Sequence, residues 1–123
     1  MKNAIPKAMH MTHVVADEES PVTHDSHTDD GGWFDLQDVD DLEITAKSTD
    51  ALGLTESINI DLEVRTHRAA PERDASTENS TLNQTNQNIL VYSNVTRSAQ
   101  ARLLISGINT VGKEVHVYVF AKS

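Results

Sequence analysis

The chain has 123 residues, 19 Asp and Glu against 10 Lys and Arg, a formal net charge of −9, no cysteine, and 4% Phe, Trp and Tyr. That length fits one domain, and the missing cysteines exclude disulfide frameworks, Cys-ligated zinc and thiol nucleophiles. A negative balance argues against phosphate-backbone binding, and no run approaches the roughly 20 apolar residues of a membrane span, so neither nucleic acid nor a membrane is an expected partner.

The charge is unevenly spread. Residues 1–15 hold Lys2 and Lys7 and no acid; His10, Thr12 and His13 break any apolar run there, so a signal peptide is not expected. Residues 16–41 hold ten acids and no base, whereas residues 42–123 hold nine acids against eight bases. Like charges at this density repel, and few apolar residues offset the cost of ordering the segment. The expectation is an extended or disordered N-terminal arm over 1–31, joined to a folded body over 32–123. The arm would order only against a partner, through Lys2, Lys7, Trp33 and Phe34, and deleting residues 1–30 would leave the body folded.

From Asp41 onward the period becomes two. Leu42, Ile44 and Ala46 alternate with Glu43, Thr45 and Lys47, and Ser48–Thr55 reads as a loop. Ile58, Ile60, Leu62 and Val64 then face one way, and Asn59, Asp61, Glu63 and Arg65 the other. Residues 69–88 are a long polar stretch with Leu82 as its one large apolar side chain. Strands follow over Ile89–Ser93, Arg97–Ile108 and Lys113–Ala121, the last two joined by a turn at Asn109–Gly112. With no amphipathic helix, the pattern predicts an all-β fold, an antiparallel β-sandwich of jelly-roll or Ig-like type. The last strands are apolar on both faces. Leu104, Tyr118 and Phe120 therefore face away from the core toward something that covers them, predicting a homo-oligomer interface, with cover by the chain's own N-terminal segment, through Trp33 and Phe34, as the alternative.

Tested for chemistry, the sequence supplies little. Gly107–Lys113 approximates a phosphate-binding loop, but Glu114 replaces the magnesium-binding Ser/Thr and a strand follows in place of a helix. His10, His13, His24 and His27, with Asp29 beside the second pair, are ligand types suited to zinc, nickel or copper, though without an apolar framework to fix them. The acids between Asp25 and Asp41 miss the calcium-loop register. Asn79, Asn83 and Asn94 begin glycosylation sequons, which an Asn- and Thr-rich chain forms by chance. No nucleophile turn or positioned carboxylate pair is present, so neither catalysis nor a cofactor is expected.

The order of segments is Gly32-Trp33-Phe34-Asp35-Leu36, Asp41-Leu42-Glu43-Ile44-Thr45-Ala46-Lys47-Ser48, a Gly53 loop and Ser57-Ile58-Asn59-Ile60-Asp61-Leu62-Glu63-Val64-Arg65. A polar loop, Ala101-Arg102-Leu103-Leu104 and a final Val117-Tyr118-Val119-Phe120-Ala121-Lys122 complete it. Over residues 32–123 this order resembles small β-sandwich structural proteins of the virions of tailed viruses of bacteria and archaea. The resemblance implies a non-enzymatic shell component, such as a capsid decoration, turret or head–tail accessory protein, located in the virion. Its partners would be the major capsid protein or head–tail subunits, and its own copies, most simply as a trimer. The acidic balance is compatible with a halophilic source, although the near-neutral body is not what salt adaptation produces. A carbohydrate-binding or adhesion module using the 69–88 loop is the alternative.

Overall fold

A computed structural model describes residues 5–66, 71–74, 80–95 and 98–123. Its strands are β1 (Ala8–Val14), β2 (Ser20–Pro21), β3 (Phe34–Asp35), β4 (Asp41–Ser48), β5 (Ser57–Arg65), β6 (Arg73–Asp74), β7 (Thr81–Asn83), β8 (Asn88–Asn94), β9 (Gln100–Ile108) and β10 (Glu114–Lys122). The alternation in β4, β5 and β10 turns Leu42, Ile44, Ile58, Ile60, Leu62, Val64, Val115, Val117 and Val119 into one shared core. Phe34, Leu82, Leu103 and Ile105 join them, all fully buried.

One sheet runs β1-β10-β4-β8, all antiparallel. The other runs β2-β9-β5-β6, with β3 also on β9 and β7 also on β5. With β2 and β3 taken as one interrupted strand, and β6 and β7 as another, every connection crosses between the sheets except the one from β5 into β6. The first and last strands are then neighbours. This is the jelly-roll form of the antiparallel sandwich, one of the two anticipated. The Asn109–Gly112 turn therefore does not close a hairpin. It carries the chain from one sheet to the other, with Asn109 at φ 56° and Gly112 at φ 89° in the left-handed region.

The N-terminal segment departs most from expectation. Residues 8–14 form an edge strand of the sandwich, not an arm outside it, because Met9 and Met11 alternate with His10 and Thr12 and reach the core. Backbone bonds hold both ends of the β1–β10 ladder: Val15 N–H donates to the Lys113 carbonyl (2.9 Å) and Ala121 N–H to the Lys7 carbonyl (2.8 Å).

Residues 16–36 cross to the second sheet. Pro21 lies opposite Leu104, and Val22 N–H donates to the Leu103 carbonyl. Gly32, at φ 81°, brings the chain so close that a Cβ there would stand 2.8 Å from Pro21 Cβ and from the Val22 carbonyl. The chain then splits two aromatic neighbours across the sheet. Phe34 enters the core, and Trp33, 4% exposed, lies outside it between the guanidinium groups of Arg65 (4.0 Å from the ring centroid) and Arg102 (4.6 Å). Arg102 also binds Glu63 at 2.8 Å, while Arg65 Nε donates to Gln100, whose amide donates to Asp35. Each cation–π contact contributes about 0.5–2 kcal/mol. An acidic segment thus folds because its few apolar residues fall where a sheet face needs covering.

Deletion of 1–30 would therefore remove a core strand. Met11→Ala should lower stability by about 2–5 kcal/mol through the lost burial and the remaining cavity, whereas Thr12→Ala, one residue on and facing solvent, should change it little. Denaturant midpoints of the two variants check this.

Candidate functional site

The two sheets treat their outer faces differently. On the β9 side Leu104 is only 7% exposed. Leu104 is thus not available as an oligomer interface, because the chain's own residues cover that face. Trp33 and Phe34, expected in a partner-binding arm, are likewise buried within the chain. Lys2 lies outside the described residues, and Lys7 is exposed beside Phe120.

The outer face of the four-stranded sheet is open. Its strands lie about 4.8 Å apart, so residues in register become neighbours. One row reads Ala8, Phe120, Glu43, Tyr92; the next His10, Tyr118, Thr45, Leu90; the third Thr12, His116, Lys47, Asn88. Leu90 (53% exposed) and Tyr92 (49%) stand on β8, and Tyr118 (40%) with the half-buried Phe120 on β10, with Glu43 and Thr45 of β4 between the two pairs. A depression of about 370 Å³ opens along the seam, lined by His10, Glu43, Thr45, Tyr118 and Phe120. A second, of about 600 Å³, lies at the adjoining pole between Lys7, Asp38, Phe120 and Lys122.

Local contacts fix these side chains. The His10 ring lies parallel to Tyr118, centroids 4.5 Å apart. Lys122 is bound to Glu43 at 3.0 Å and lies 5.5 Å from the Phe120 ring centre and 5.9 Å from that of Tyr92. The Glu43 carboxylate raises the Lys122 pKa, and a hydrogen bond with Asp41 raises that of the Tyr92 hydroxyl. The surface combines apolar bodies with hydrogen-bonding tips, the composition that concentrates binding energy at protein interfaces. Alternation on β10 alone points to Tyr118 and Phe120. His116, Leu90 and Tyr92 escaped sequence reading, although outward Leu90 and Tyr92 on a strand with buried Ile89 and Val91 was a usable signal.

The metal candidates are dispersed. His10 and His13 sit three apart on a strand, which puts them on opposite faces: His10 meets Tyr118 and His116, whereas His13 turns inward and meets Ser20 Oγ at 3.0 Å. His24 and His27 have ring centroids 4.8 Å apart in a turn, and Asp29 donates its backbone N–H to the Trp33 carbonyl. Among the described residues no three His, Asp or Glu side chains gather in a metal-binding group. Asn83 Oδ1 accepts the N–H groups of Thr85 and Asn86, capping the turn after β7, and the Asn94 amide donates to Asp41; Asn79 lies outside the described residues. Of the 69–88 loop, residues 69–70 and 75–79 also lie outside them, and the remainder contains β6, β7 and the buried Leu82. Among the described residues no helix is long and apolar enough to cross a membrane.

No protein-family model matches the chain, and no curated protein matches it in sequence. Among solved structures, the SPBc2 prophage-derived protein YomS is similar, with a TM-score of 0.52 at 13% identity, covering 98% of this chain and 100% of that one. The CBM22-1–GH10 modules of Clostridium thermocellum endo-1,4-β-D-xylanase 10B, complexed with xylohexaose, give 0.46 at 9% identity over 93% of this chain and 26% of that one. The family 11 carbohydrate-binding module from Clostridium thermocellum, in complex with a β-1,3-1,4-mixed-linked tetrasaccharide, gives 0.39 at 12% identity over 94% and 84%. At 13% identity the likeness to the prophage-derived protein is one of fold alone.

Burial lowers the His13 pKa from its ordinary 6.5. The unfolded chain then takes up a proton near 6.5 while the folded ring stays neutral, so this group's contribution falls as pH drops through that value toward the folded pKa. His13→Gln should therefore flatten the stability difference between about pH 8 and about pH 5.5 relative to the unmodified chain, as read from urea midpoints at each pH.

Proposed function

We propose that the chain is a non-enzymatic structural component of a tailed-virus particle, a capsid decoration, turret or head–tail accessory protein. It docks on neighbouring virion subunits, or on further copies of itself, through the outer face of its four-stranded sheet. The observation that carries this reading is the gathering of Leu90, Tyr92, Tyr118 and Phe120 on one open face, while the opposite face is covered from within the chain. Exposed apolar side chains grouped in this way mark interaction sites. The similarity to a prophage-derived protein over the whole length of both chains supports the viral context. Docking through the face replaces docking through an arm, since the arm's aromatic residues are spent on the chain's own fold.

Carbohydrate binding is the second reading, favoured by the exposed tyrosines. It moves from the 69–88 loop, which has no aromatic residue, to the same sheet face. The rings are poorly disposed for it. Tyr118 is stacked against His10, and the ammonium of Lys122 lies near Tyr92 and Phe120, so part of each ring face is already in contact with a neighbouring side chain.

The chain should co-sediment with purified virus particles of its source, and Leu90→Asp with Tyr118→Asp should weaken that association about tenfold or more without unfolding the protein. Absence from particles would overturn the reading. On a glycan array no specific binding is expected; hits abolished by Tyr92→Ala would favour the second reading instead.

A further inference from the structure

His10 and His116 come from opposite ends of the chain and meet on the open face. His10 Nε2 lies 3.0 Å from His116 Nδ1. The ring planes are within 19° and the centroids 5.2 Å apart, so the rings meet edge to edge with their in-plane nitrogen lone-pair positions directed at each other.

The surroundings decide which nitrogen of His116 is bare. Its other nitrogen, Nε2, lies 2.8 Å from Thr49 Oγ1 and 3.2 Å from Glu114 Oε1. The Thr49 hydroxyl donates to that same carboxylate oxygen at 2.9 Å and so presents lone pairs to the ring. Both neighbours of Nε2 are therefore acceptors. The ring carries its proton on Nε2 and points an unprotonated Nδ1 at His10. A carboxylate behind a histidine is the arrangement that fixes the tautomer and orientation of metal-ligating imidazoles. Stacking on Tyr118 fixes the plane of the His10 ring in turn.

We infer that His116 Nδ1 and His10 Nε2 form a two-imidazole site for a late first-row divalent ion of the zinc, nickel or copper type. Imidazole nitrogens suit these ions. Zinc–nitrogen bonds of about 2.0–2.1 Å in tetrahedral geometry place two ligating nitrogens about 3.3 Å apart with their lone pairs converging on the ion, so the pair must open by a few tenths of an ångström and each ring must swing in its plane by about 35° from the head-on arrangement. In the metal-free chain His10 donates its Nε2 proton to His116; with the ion bound, His10 takes the tautomer protonated at Nδ1. Water completes the coordination. The ion ties β1 to β10, and so the first strand of the sandwich to the last. This pairing across strands differs from both histidine pairs that sequence spacing suggests.

Zinc titrated into the full chain, followed through histidine ring nitrogen resonances, tests the site. Saturable shifts at His10 Nε2 and His116 Nδ1 are expected, with the rings of His24 and His27 unmoved. In calorimetry with zinc, His116→Ala should abolish this binding, Glu114→Gln should weaken it about tenfold, and His24→Ala should leave it unchanged. A rise in melting temperature with zinc, lost in His116→Ala, is expected because the ion binds only the folded pair. The inference is overturned if zinc shifts only His24 and His27, if no saturable shift occurs, or if His116→Ala binds zinc as the unmodified chain does. The resonance experiment needs no variant, so a substitution that fails to fold does not remove the test.

Discussion

The antiparallel pairing of β1 with β10 is the contact on which the rest of this structure depends. It sets Met9 and Met11 into the core, places His10 beside Tyr118 and His116, and makes the last strand an interior one with neighbours on both sides. Were it absent, β10 would be an exposed edge. Its backbone groups would be open to another chain, and the depression between His10 and Phe120 would lose one wall. The surface assigned to docking is therefore a product of tertiary pairing. No single segment contains it.

The two outer faces follow from one division of labour along the chain. Residues 16–36 carry much of the molecule's acidity, yet what places them is Val22, Trp33, Phe34 and Leu36, all buried. The acids ride on this framework, and the cost is visible at Glu19, where burial first, then the carboxylates of Asp61 and Glu63, raise the carboxyl pKa, with Arg102 opposing them. Arg102 serves twice, binding Glu63 and lying over Trp33. A net charge read as a property of a disordered tail is thus built into a folded layer. Covering one sheet face in this way leaves the other open.

The parts of the fold legible in the sequence were those governed by local alternation. β4, β5, β8 and β10 fall within a residue or so of the boundaries that period two suggests, and β9 starts three residues later than expected, since strand ends shift with their partners. β1 was legible in principle, with Met9 and Met11 alternating with His10 and Thr12, but histidines and flanking lysines masked so short a pattern. Cover of Leu104 by the N-terminal segment was legible only as an alternative, and the pairing of Pro21 with Leu104 was not, because the two are distant in sequence. Nor was the His10–His116 contact, which depends on the register of two strands a hundred residues apart. Alternation identifies which side of a strand faces out; only pairing says what stands beside it.

The interior place of β10 also bears on how the molecule comes into being. A chain synthesised from its N-terminus has β1, β4 and β8 in hand before the strand that joins β1 to β4 exists. Until those last residues emerge, half of the sandwich lacks its middle, and Leu42, Ile44 and Ala46 lack the neighbours that β10 sets beside them. Non-local pairing of this kind forms slowly and leaves apolar strand edges exposed meanwhile. Assembly of the four-stranded sheet is therefore a terminal event, and loss of only a few C-terminal residues would be felt at the N-terminus.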